Sequence, residues 1–129
     1  MIDHVYISAS DPKRSFDFLL SALNPLGWKE YGTFSSGGPG AEVDTWGIGS
    51  GSNSIWLRTP KAGVIEGVYL GLAADSIQAV DAAYAAALAA GGLDDGAPGP
   101  RPQFAEGYYA ANFVDFDGNQ FEIVKKSWA

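Results

Sequence analysis

The sequence predicts an α+β protein built from two similar halves. Three observations carry this reading. Short runs alternate apolar and polar residues at period two, the strand signature. Two other stretches repeat apolar residues at spacings of three and four behind a capping residue, the helix signature. The order strand, helix, strands then occurs twice, with Phe16-Asp17 matching Val80-Asp81 and Leu26-Gly27 matching Ala90-Gly91 at one common offset of 64 positions. Shared order and spacing, more than shared letters, point to an internal duplication.

The elements follow in chain order. Residues 2–8 read as a strand, with Val5 and Ile7 on one face and His4, Tyr6 and Ser8 on the other. Asp11-Pro12 starts a helix, aspartate as N-cap and proline at the first helical position. Phe16, Leu19, Leu20 and Leu23 line its apolar face, and Pro25 and Gly27 end it. Strands are predicted over 28–34, 42–48 and 54–59, separated by glycine-rich loops. A strand over 64–74 opens the second half. Asp75-Ser76 caps a helix carrying Ile77, Val80, Tyr84 and Leu88, which Gly91-Gly92 ends. Residues 96–102, rich in proline and glycine, read as a loop. Strands over 108–116 and 120–125 follow, joined through Asp117-Gly118, a strong hairpin signal.

Composition narrows the function. A chain of 129 residues fits one domain over 1–129, with halves at 1–60 and 64–129. Its net charge is −7, from 15 acidic and 8 basic residues. Phosphate neutralisation needs a basic footprint, so nucleic acid and anionic membrane surfaces are excluded as partners. The absence of cysteine excludes disulfides, thiolate metal sites and thiol catalysis. With no signal-peptide pattern at its start, the chain is expected in the cytoplasm with small-molecule partners.

The residues also resemble a known superfamily. His4-Val5, Asp11, Phe16 and Pro25-Leu26-Gly27 in the first half, and the run from Tyr108 through Asn119 leading into Glu122-Ile123, look like the vicinal oxygen chelate group: glyoxalase I, bleomycin-resistance proteins and extradiol dioxygenases. The resemblance covers essentially the whole chain. It implies two βαβββ modules forming a cupped, incompletely closed mixed β-barrel with the helices outside. It also implies metal ligands on the first and fourth strands of each module and, as in single-domain members, a homodimer, for which Trp128 is a candidate interface residue, against the alternative that it docks on its own chain.

Carried over residue by residue, His4 and Glu122 match ligand positions. The position that usually offers histidine in module two holds Tyr69, and the one that offers glutamate in module one holds Trp56. Strand alternation independently puts His4, Tyr6, Trp56, Arg58, Tyr69 and Glu122 on faces turned away from the helices. His4 is the only histidine, so two histidines and a carboxylate cannot assemble within the chain. A His4–Tyr69–Glu122 set would hold zinc, nickel, manganese or iron poorly, because a phenol ionises far above neutral pH. The site is then degenerate, with no metal as the favoured reading and His4 and Glu122 kept as a hydrogen-bonded pair.

Substrate contacts are expected from Trp46, Trp56, Tyr69, Tyr108 and Tyr109 as an aromatic pocket, against the alternative that strand aromatics are core. Arg58 and Arg101 are candidate grips for an anionic group, against a plain surface ion pair. Gly47-Ile48-Gly49-Ser50-Gly51 is no nucleotide loop, because a strand follows it rather than a helix. Asp115-Phe116-Asp117-Gly118-Asn119 is no calcium loop, because Lys126 stands where the bidentate glutamate belongs.

Two functions compete, beside a third, metal-free catalysis with Tyr69 or Glu122 as acid or base. One is small-molecule binding in the cup without metal, of the bleomycin-resistance kind. The other is a metal-dependent lyase or isomerase of the lactoylglutathione lyase kind, or a dioxygenase, with Glu122 as the catalytic carboxylate that moves the proton.

Overall fold

A computed structural model describes residues 2–60 and 65–129. The chain runs β1 (His4–Ser8), α1 (Pro12–Leu23), a 3-10 turn at Asn24–Leu26, then β2 (Lys29–Phe34), β3 (Thr45–Ser50) and β4 (Asn53–Arg58). The second half runs β5 (Tyr69–Ala73), α2 (Ile77–Ala89), β6 (Leu93–Pro100), β7 (Tyr108–Val114) and β8 (Gln120–Lys126). The strands form two separate four-stranded sheets, ordered β1-β4-β3-β2 and β5-β8-β7-β6. In each, the first strand pairs in parallel with the last and the other pairings are antiparallel. The protein is α+β, two βαβββ units with unclosed sheets.

Both helices start as their sequences direct. The Asp11 carboxylate accepts from the Arg14 N–H at 3.2 Å, and Ser76 Oγ accepts from the Ala79 N–H at 3.0 Å. Each cap satisfies one of the N–H groups that a helix start leaves free. The 3-10 turn closes on Gly27 at φ 86°, a left-handed conformation that glycine takes without a Cβ penalty.

Strand alternation sorts each sheet into two faces. Ile7, Ile48, Ile55 and Leu57 of the first sheet, and Ala111, Phe113, Phe121 and Ile123 of the second, are buried in one cluster with Phe16, Phe18, Leu19, Leu23, Val80, Ala83 and Ala87 of the helices. Phe18 of α1 reaches the second unit, with its ring 5.8 Å from Phe113 and 5.2 Å from Phe116. The two halves therefore share apolar contacts through their helix sides.

One element departs from the sequence expectation. Residues 93–100 form β6, most of which falls in the segment read as a loop. Proline cannot donate to a ladder and glycine weakens one, but β6 is an edge strand, where both are tolerated. Its pairing with β7 is broken by register shifts at Gly96 and before Gly99. The strand expected over 64–74 is shorter, starting at Tyr69; Val64 lies outside the described residues. Among the described residues no helix is long and apolar enough to cross a membrane.

Candidate functional site

The registers of the two sheets are equivalent. In the first, His4 lies opposite Ser54, Tyr6 opposite Trp56, and Gly47 opposite Trp56 on the other side. In the second, Tyr69 lies opposite Gln120, Gly71 opposite Glu122, and Asn112 opposite Glu122 on the other side. Trp56 and Glu122 thus occupy matching positions, as do His4 and Tyr69, all on faces turned away from the helices.

The first sheet's face is aromatic. A Cβ on Gly47 would meet three carbons of the Trp56 indole at 2.8–2.9 Å, so the ring lies directly across the bare glycine backbone. The indole N–H is satisfied by Ser54 Oγ at 3.1 Å. Tyr31 stands edge-on to Trp56, with ring centroids 5.6 Å apart, and itself covers Gly49. Tyr6 carries the Arg58 guanidinium 4.2 Å above its ring. Tyr6 and Tyr31 remain 48% and 59% exposed, too open for core residues. His4 stands edge-on to Tyr6 at 5.6 Å and pairs through Nδ1 with the exposed Asp3 at 2.7 Å.

The second sheet's face is polar and connected. Glu122 is only 7% exposed. The Tyr69 hydroxyl donates to its Oε1 at 2.5 Å, and the Tyr108 hydroxyl donates to its Oε2. Asn112 Nδ2 donates to the Tyr69 oxygen at 2.9 Å, and Arg101 Nη1 donates to Asn112 Oδ1 at 3.0 Å. Arg101 also donates to the carbonyls of Ala110 and Ala97. Desolvation, then the bond to Glu122, pushes the Tyr69 phenol up and the Tyr108 phenol up to about 12. A cavity of about 470 Å³ opens on this face, lined by Tyr69, Tyr108, Glu122, Val124 and Lys126 among others.

The expected site residues therefore divide. Tyr69, Tyr108, Glu122 and Arg101 are brought together. Trp56, Arg58 and His4 share the aromatic face of the other sheet, and His4 does not line the cavity beside Glu122. The expected His4–Glu122 hydrogen bond is replaced by other partners for both groups. Trp46 pairs opposite Leu57 and packs against the core, so alternation turns it to the helix side. Tyr109 also points to that side, donating to Asp81 of α2 at 2.7 Å. Asn112 and Tyr31 have no role in the sequence reading, and Lys126 enters it only as the residue that rules out a calcium loop. Asn112 carries a sequence signal, an amide within an otherwise apolar and aromatic strand, and the structure buries it opposite Glu122.

The family resemblance implies a metal, and these side chains do not fit one. Both Glu122 oxygens already accept hydrogen bonds from phenol hydroxyls. The Tyr69 hydroxyl donates a hydrogen bond to Glu122, keeps its proton and is pushed away from ionisation. Among the described residues no three histidine, aspartate or glutamate side chains converge.

Comparison with known proteins gives the family. The Glyoxalase/Bleomycin resistance protein/Dioxygenase superfamily profile matches residues 1–123. A glyoxalase/bleomycin resistance protein from Albidiferax ferrireducens is similar in structure, with TM-score 0.76 and 27% identity over 96% of this chain and 97% of that one. A glyoxalase/bleomycin resistance protein/dioxygenase family enzyme from Burkholderia phytofirmans superposes with TM-score 0.71 and 21% identity over 96% and 97%. TnmS3, an antibiotic binding protein from a Streptomyces species, superposes with TM-score 0.68 and 21% identity over 98% and 96%. No functionally curated protein matches the chain. With a family profile spanning nearly its whole length, the chain belongs to the glyoxalase/bleomycin resistance protein/dioxygenase superfamily.

Proposed function

We propose that this protein binds a small planar molecule on the helix-averted faces of its sheets, through shape and stacking, at a site whose metal position has degenerated. The observation that carries the reading is Trp56 laid across Gly47. A side chain at Gly47 would lift the indole, and its absence leaves a flat ring backed by the sheet. Stacking on such a ring tolerates many planar ligands and contributes on the order of 1–3 kcal/mol per stacked ring. The similar fold of an antibiotic binding protein is in keeping with a sequestering role.

The reading carries with it a homodimer. Tyr6, Tyr31, Phe34, Tyr69 and Trp128 are all exposed, and a second copy of the chain is the partner proposed to cover part of that surface. A cytoplasmic compartment suits a cysteine-free chain of net charge −7.

The test is a titration of the full chain with methyl 2-naphthoate, a planar uncharged probe, followed by tryptophan fluorescence and calorimetry. Saturable binding is expected. Trp56→Ala is expected to weaken it about tenfold, the loss of roughly 1.4 kcal/mol of stacking. Gly47→Ala, which forces the indole off the sheet, is expected to weaken it as well. Binding unchanged in both variants would overturn the stacking reading.

A further inference from the structure

The hydrogen-bond chain on the second sheet has a fixed direction. An arginine side chain can only donate, so the group Arg101 meets at 3.0 Å must be the Asn112 carbonyl oxygen. The Asn112 amide therefore turns its NH₂ to Tyr69, at 2.9 Å. The Tyr69 oxygen accepts there and its hydroxyl donates to Glu122. The Tyr108 hydroxyl donates to the other carboxylate oxygen. A carboxylate donates nothing, so the chain ends at Glu122 with these phenol protons committed. Asn112 and Arg101 do not line the cavity, and what Tyr108 and Glu122 still offer it is lone pairs: those of the Tyr108 oxygen and the remaining ones on Glu122.

We propose that this cavity receives a cationic group that donates hydrogen bonds, of the amine or amidine class, seated on the Glu122 carboxylate and the Tyr108 oxygen. The proposal rests on the small-molecule reading above and names the polar group that the second sheet's face takes. A carbonyl or carboxylate entering the same place would set lone pairs against lone pairs. The raised phenols keep their protons at neutral pH, so the direction of the chain persists there. The net charge of −7 favours approach of a cation. Lys126 also lines the cavity. Its ammonium lies 5.9 Å from the Tyr108 ring and 5.8 Å from the Trp128 ring, engaged with aromatic faces. It is a competing cation that an incoming amidine displaces or adjoins. Arg101 acts as a positioning residue: it touches no ligand, but it decides which way Asn112 faces.

A matched probe series on the full chain tests the proposal. The probes are 2-naphthamidinium, methyl 2-naphthoate and 2-naphthoate, which share one ring and differ in their polar end. The amidinium is expected to bind at least tenfold more tightly than the ester, and the carboxylate no better than the ester. Glu122→Gln is expected to erase the amidinium preference while ester binding persists, which also shows that the variant is folded. Lys126→Met is expected to strengthen amidinium binding. Arg101→Met, which frees the Asn112 amide to rotate, is expected to narrow the gap between amidinium and ester without abolishing ester binding. Equal binding of amidinium and ester, or tightest binding of the carboxylate, overturns the proposal and leaves the stacking reading standing. Failure of all three probes to bind overturns both.

Discussion

Tyr108 loses its proton only near pH 12 in the folded chain, against about 10 for an unperturbed phenol, because its hydroxyl is desolvated against Glu122. The consequence for stability has a definite sign. Between about pH 10 and 12 the unfolded chain has released this proton and the native chain still holds it. The native state then binds more protons, so stability falls as pH rises through that window. The contribution is fully present below pH 10. Tyr69, Tyr84 and Tyr109 are raised too and add to the same trend. Denaturant unfolding measured from pH 8 to pH 11.5 should show a steeper alkaline loss in the wild type than in Tyr108→Phe. Equal slopes would mean that the Tyr108–Glu122 bond does not hold in solution. At this scale the sequence was half legible. Alternation placed Tyr69, Trp56 and Glu122 on the correct faces, because period two depends only on the backbone. It could not reveal that Glu122 is claimed by two phenols, since that depends on how three strands line up side by side.

The hairpin between β7 and β8 shows how one buried amide ties elements together. Asn119 is fully buried, and its Oδ1 accepts from the Val68 N–H at 3.0 Å, just ahead of β5. Its Nδ2 donates to Asp115 at 2.8 Å and reaches the Ser8 carbonyl of β1 at 3.4 Å. One side chain thus links the β7–β8 turn, the approach to β5 and β1 of the other sheet. Asn119→Ala would leave a part-buried N–H and the buried Asp115 carboxylate short of partners, each costing on the order of 1–3 kcal/mol. A loss of about 3 kcal/mol is expected in urea unfolding at neutral pH. A loss below 1 kcal/mol would show that water replaces these bonds freely. The turn itself was readable from Asp117-Gly118, and both helices from their caps and apolar spacing. β6 was not readable, because its edge position, which makes proline and glycine acceptable, is a property of the assembled sheet. The duplication was the better guide there: the first half has three strands after its helix, and the second half needed one more than its hydrophobic pattern displayed.

At the scale of the whole molecule, the helices and the inner sheet faces share one buried cluster, while the outer sheet faces do not close on each other. Phe34 at 60%, Tyr69 at 56% and Trp128 at 58% exposure are large apolar groups left in water. Among the described residues the four outer strands, β1 and β2 on one sheet and β5 and β6 on the other, each have a side without a strand partner. Exposed strand edges beside apolar surface favour self-association, and closed two-fold pairing is the commonest way to satisfy both partners. Sedimentation equilibrium at micromolar concentration should therefore give twice the chain mass of 13.6 kDa. Trp128→Glu places a charge on one of the most exposed aromatics and is expected to raise the dissociation constant at least tenfold. High salt should not dissociate the wild type, because the contact proposed is apolar rather than an ion pair. A monomer at these concentrations would remove the dimer. It would also mean that each chain's outer faces meet ligand alone, and the Trp56→Ala titration would then report binding to an open platform rather than to a covered one.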